Sequence, residues 1–70
     1  MNMYEQGRKE AEQTITDYGM EIGTFLIEQA LTRMNNNKTE DDHEYTRGLY
    51  HRMQELTEGK TAEDYNKPEA

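Results

Sequence analysis

The sequence predicts an all-α fold, an antiparallel helical hairpin with a long first helix and a shorter second helix. Proline occurs once, at Pro68, so no proline interrupts a helix before the last three residues. Valine and tryptophan are absent, whereas Glu, Gln, Met, Leu and Arg, which favour helices, are plentiful. Apolar residues recur at steps of three and four, the period of one helix face, and the alternation typical of strands is not sustained.

The first helix is predicted from Tyr4 to Asn35. From Met20 onward a second apolar row joins the first, so we expect the C-terminal half of this helix to be buried on two sides. The asparagines at 35–37 then end the helix, because asparagine tolerates the left-handed conformation of a helix C-cap. The first apolar row is Ala11, Ile15, Tyr18, Ile22 and then Phe25 or Leu26, and the second is Ile27, Leu31 and Met34.

The second helix is predicted to begin after Thr39, a suitable N-cap, with acidic residues in its first turn where the helix dipole favours them. Gly59 is placed to end it. Residues 1–59 would therefore form a single helical-hairpin domain, and residues 60–70 a flexible or weakly helical acidic tail. The apolar face of this helix is Tyr45, Leu49, Met53 and Leu56.

The two predicted helices differ in length, about 48 Å and about 30 Å at 1.5 Å per residue. The second helix should lie against residues 19–34, with Gly48 facing Gly19 and Gly23 at a close crossing. This leaves the N-terminal part of the first helix without a partner. Three arrangements would cover it: a second copy of the chain, a different protein, or a bend near Gly19 and Gly23. We favour the second copy, a homodimer with a four-helix arrangement, and consider full reversal within one chain the least expected.

Composition restricts the function classes. Eight Lys and Arg residues stand against 15 Asp and Glu, a formal net charge of -7, and no basic cluster suited to a phosphate backbone occurs, so we expect no direct nucleic-acid binding. The chain has no cysteine, hence no disulfide or Cys-based zinc site. Without a signal peptide or an apolar run that spans a membrane, we expect a soluble cytoplasmic protein that does not bind membranes.

Catalytic motifs are not evident in the sequence. The glycines are scattered and do not form a phosphate-binding loop, and no nucleophile stands at a telling spacing from a histidine. His43 and His51 do not belong to a zinc motif. We therefore expect no enzyme activity, no catalytic residue, no metal or cofactor and no small-molecule substrate.

These features favour a small acidic helical protein-protein interaction module that binds and regulates, by inhibition, a larger protein partner. The alternative is an acidic DNA-mimic decoy, such as a phage-encoded inhibitor of a host nucleic-acid enzyme. The predicted partner-binding residues of the module are Tyr4, Ala11, Ile15, Tyr18 and Ile22. The acidic face of the alternative is Glu10, Glu12, Asp17 and Glu21.

Overall fold

The computed structural model describes residues 2–34 and 39–66, and all the regular structure in these two ranges is helical. The predicted all-α class is confirmed for them. The predicted asparagine turn at 35–37 and the end of the predicted tail, 67–70, lie outside the described residues. The helices are α1 (Met3–Tyr18), α2 (Met20–Met34), α3 (Glu40–Thr57) and α4 (Ala62–Asn66).

The prediction of one continuous first helix is wrong, because the chain breaks at Gly19. This residue has φ +91° and ψ 171°, a combination that glycine alone adopts readily. Its N–H still donates to the Ile15 carbonyl, 2.8 Å away, and its carbonyl accepts from the Gly23 N–H at 2.8 Å. One residue therefore ends α1 and begins α2, with its N–H bonded to the first helix and its carbonyl bonded to the second.

The chain turns back at this break, and α1 makes its most extensive contact with α3. Tyr4 is hydrogen-bonded to His51. One turn further along each helix, Arg8 is paired with Glu55. Because these contacts advance together, α1 and α3 run in the same direction. The expectation that the N-terminal part of the first helix lacks a partner within the chain is therefore wrong.

Two glycines form the crossing of α1 and α3. The Cα of Gly7 lies against the backbone of Tyr45 and Leu49, and Gly48 lies against the backbone of Tyr4 and Arg8. A Cβ atom at either glycine would overlap a carbonyl oxygen of the opposite helix. Gly48 was expected at a close crossing, and it is there, but its counterpart is Gly7 and not Gly19 or Gly23.

The core lies between α1, α2 and α3. The apolar residues of the core are almost completely shielded from solvent. The predicted apolar face of α3 contributes to the core along the whole length of that face. The close approach of the helices removes these apolar side chains from water, and this burial stabilises the fold. The buried residues are Ala11, Ile15, Ile27, Leu49 and Met53, with Leu31, Met34, Tyr45 and Leu56 partly buried against them.

The ends of α3 and α4 follow local capping rules. Thr39 accepts a hydrogen bond from the Asp42 N–H at 3.1 Å, which confirms it as the N-cap of α3. Glu58 adopts the left-handed conformation after Thr57, so α3 ends just before the predicted Gly59. Thr61 and Asp64 bond reciprocally to each other's backbone N–H, a capping box that begins α4.

Candidate protein-binding surface

Several large apolar side chains do not enter the core. Tyr18 is 58% exposed, Ile22 55% and Phe25 50%. All three belong to the end of α1 and the first half of α2. An apolar surface that is contiguous and outside the core is the usual mark of an interaction site.

The orientation of α2 explains this exposure. Gly23, Thr24 and Ile27 are buried and fix the face that α2 turns toward α1 and α3. Ile22 and Phe25 lie on the opposite side of the helix wheel, at 100° per residue. The apolar sector of this segment was expected to be buried on two sides, but it is buried on one.

Leu26 joins these side chains into one surface. It lines a shallow depression together with Tyr18, and it is one turn after Ile22 on the same face of α2. Leu26 is half-buried, less exposed than Tyr18, Ile22 and Phe25. We call the four residues Tyr18, Ile22, Phe25 and Leu26 the α2 outer strip.

A groove of about 450 Å³ runs between α2 and α4 along one edge of this strip. Ile22, Phe25 and Ala62 supply its apolar lining. The Ala62 N–H donates to the Glu28 carboxylate at 3.0 Å, and this bond holds α4 against α2. The same groove is lined by Glu21 and by the exposed Glu63.

The groove carboxylates are not neutralised by neighbouring cations in residues 2–34 and 39–66. The ion pairs found there join Arg8 with Glu55, and Arg52 with both Glu12 and Glu55. Lys60, close to α4 in sequence, lies instead 5.5 Å from the centre of the Tyr65 ring. The groove therefore combines an apolar lining with a negative rim.

The predicted partner-binding residues separate into two groups. Ala11 and Ile15 are in the core, and the half-buried Tyr4 has its hydroxyl 2.8 Å from His51 Nδ1. Tyr18 and Ile22 are both more than half exposed. The first group is used within the fold, so only the second remains available to a partner.

Phe25 was not among the predicted partner-binding residues. In a continuous first helix, Phe25 or Leu26 continues the first apolar row and would be buried. The signal that would have identified it is the width of the apolar sector of α2, which exceeds what one packed face covers. The width of this sector indicates exposure of Phe25 only once the break at Gly19 is known.

The predicted acidic face is not a single face. Glu10 and Asp17 are seven residues apart and share one side of α1, whereas Glu12 is two residues from Glu10 and lies on another. Glu12 is also paired with Arg52, 3.2 Å away. Glu21 is on α2, beside the groove.

The ion pairs serve to join α1 to α3. Arg8 binds both carboxylate oxygens of Glu55, each at 2.9 Å, and Arg52 donates to the same carboxylate at 2.8 Å. The hydrogen bonds from Arg8, and then those from Arg52, lower the pKa of Glu55 to about 2. The Glu55 carboxylate is half-exposed, and both of its oxygens accept hydrogen bonds from arginines. This arrangement suits a structural link between the two helices.

The described residues provide neither a metal site nor a membrane-spanning helix. Among the side chains that the structure describes, no three His, Cys, Asp or Glu residues are placed to hold a metal ion. No described helix has the length and apolar character needed to cross a membrane. Comparison of the chain with protein-family models, curated protein sequences and solved structures found no match.

Proposed function

We propose that this chain is a small acidic interaction module that binds a larger protein through the α2 outer strip and inhibits it by covering part of its surface. The observation that supports the proposal is the exposure of Tyr18 at the end of α1 and of Ile22 and Phe25 on the side of α2 away from the core. Burying one such side chain in a complex is worth roughly 2 kcal/mol. Aromatic anchors of this kind dominate the energetics of many interfaces.

The position of the strip makes the proposal testable without unfolding the chain. Ile22 and Phe25 contribute little to the core, so polar substitutions there leave the packing of α1 against α3 intact. Tyr50, on α3, is a matched control because it is a large apolar side chain that is 48% exposed and lies outside the α2 outer strip.

The experiment places a photo-crosslinking phenylalanine analogue at position 25 or at position 50 of the full chain. We expect one larger protein to be crosslinked from position 25 and not from position 50. The crosslink should disappear when Ile22→Asp is added, while circular dichroism shows unchanged helix content. Identical crosslinks from the two positions, or a crosslink indifferent to Ile22→Asp, would refute the proposal.

A homodimer with a four-helix arrangement stays a prediction. Ala11 and Ile15 are in the core, so the interface we expect between two copies is the α2 outer strip. Light scattering over a concentration series measures this directly, because a dimer formed there should dissociate in the Phe25→Asp variant. A molar mass that stays at one chain would exclude it.

The DNA-mimic decoy also stays a prediction, and the shared α1 face of Glu10 and Asp17 is the feature that supports it. Both side chains are exposed. If they stand in for phosphates, Glu10→Gln combined with Asp17→Asn should weaken inhibition of a nucleic-acid enzyme, and Phe25→Asp should not. The opposite pattern would favour the interaction module.

A further inference from the structure

We infer that the groove between α2 and α4 receives a basic amphipathic helix of the partner, with its apolar side chains on Ile22 and Phe25 and its Lys or Arg residues beside the groove carboxylates. The inference rests on the proposed function and specifies the chemistry of the partner. Its two components, an apolar lining and a negative rim, can be changed separately by substitution.

The apolar component fits a helix. Ile22 and Phe25 are three residues apart, nearly one turn, and Ala62 closes the far side of the groove without filling it. A partner helix presents large apolar side chains at the same spacing of three or four residues. Two side chains of such a helix would therefore contact the two exposed residues of α2 at once.

The charged component selects a basic partner. Glu21 and Glu63 line the groove from α2 and α4, and Glu28 lies within it, bonded to the Ala62 N–H. A cation bound beside the apolar lining would interact with these carboxylates through less water than at an open surface, which strengthens the attraction. A second copy of the chain would instead bring its own carboxylates against them, and such like-charge contacts are unfavourable.

The probe is a synthetic amphipathic helix made of leucine and lysine, with its leucines on one face. Binding to the full chain is followed by amide chemical shifts and by fluorescence anisotropy. We expect the largest shift changes around Ile22, Phe25 and Ala62. Phe25→Ala should raise the dissociation constant roughly tenfold or more, because the partner loses an apolar contact.

The charge test uses Glu21→Gln combined with Glu63→Gln, which leaves the structural Glu28 intact. The affinity of this double variant for the peptide should be about three- to tenfold lower than that of the parent chain at low salt. The two affinities should become equal at high salt. The control is Glu5→Gln with Glu10→Gln, which removes the same charge from α1 and should have a much smaller effect.

Several results would overturn the inference. Equal losses in the two double variants would mean a general attraction to the acidic chain, as would equal binding of a peptide with the same residues in shuffled order. Self-association through Phe25 in place of peptide binding would make a second copy the occupant. If the proposed function holds and the inference fails, the crosslinked partner will still depend on Ile22 and will be indifferent to Glu21→Gln with Glu63→Gln.

Discussion

Replacing Gly7 by alanine tests the crossing of α1 and α3. By helix propensity alone, this change would stabilise the chain by about 1 kcal/mol. At the crossing, however, the new Cβ would overlap the Tyr45 carbonyl oxygen and lie 2.9 Å from the Leu49 nitrogen. Neither atom can rotate away, because both belong to the backbone of α3.

The magnitude follows from the separation that this overlap requires. Carbon atoms pack favourably at about 3.5–4.0 Å, so the helices must move apart by roughly 1 Å or more. Such overpacking costs about 3 kcal/mol, the upper part of the usual range, because backbone cannot repack as side chains do. After the gain in propensity, we expect a net loss of about 2 kcal/mol in the free energy of unfolding, or a fall of about 8–16 °C in Tm.

The assay is urea unfolding followed by circular dichroism, with Thr16→Ala as the control. Thr16 is exposed on α1, and its replacement should add about 0.5 kcal/mol through propensity. Gly48→Ala should match Gly7→Ala, and the double variant should lose less than the sum, since one separation relieves both overlaps. A Gly7→Ala variant as stable as the parent would show that the helices do not cross at these glycines.

Three further predictions concern a buried hydroxyl, an ion pair and the break between α1 and α2. Among the described residues, no partner lies within hydrogen-bonding distance of the buried Thr24 Oγ1, so Thr24→Val should raise the free energy of unfolding by about 1 kcal/mol. The matched Thr57→Val should lower it by a similar amount, because Thr57 Oγ1 donates to a carbonyl at 2.7 Å; equal effects in urea unfolding would contradict this account. The folded state lowers the pKa of Glu55 from 4.5 to about 2, so the stability contributed by its ionised form is fully present above about pH 5 and is lost as the pH falls toward 2. The difference in unfolding free energy between the parent and Glu55→Gln should therefore shrink over that interval, and a constant difference would refute the role of the Arg8 pair. In Gly19→Ala the new Cβ would have no atom within 4 Å, but alanine cannot keep φ +91° without strain. We therefore expect α1 and α2 to join into one helix and α1 to pack on α3 of a second copy. A variant that is monomeric by light scattering and as stable as the parent would contradict this.

The parts of the fold that were predictable are those determined by nearby residues. Thr39 caps α3 with a bond to the third residue after it, and the apolar period from Tyr45 to Leu56 faces the core as expected. Local hydrogen bonding and side-chain period act over one or two turns, so one sequence is enough to locate them.

The break at Gly19 depends on energies that no local pattern contains. The residues on both sides favour helix, and a glycine inside a helix costs only about 1 kcal/mol. The gain that outweighs helix continuity is the packing of α1 on α3, and it depends on Gly7 and Gly48 meeting. Neither glycine has a distinctive local setting, and the exposure of Phe25 follows only after the chain has turned.

The contact between α1 and α3 also sets an order of folding. Tyr4 and His51 are 47 positions apart, as are Arg8 and Glu55, so the tightest contact in the fold joins residues distant in sequence. α1 is synthesised before α3, so Ala11 and Ile15 are not covered by α3 until that helix has been made. Closing the long loop between these contacts is therefore a slow step of folding.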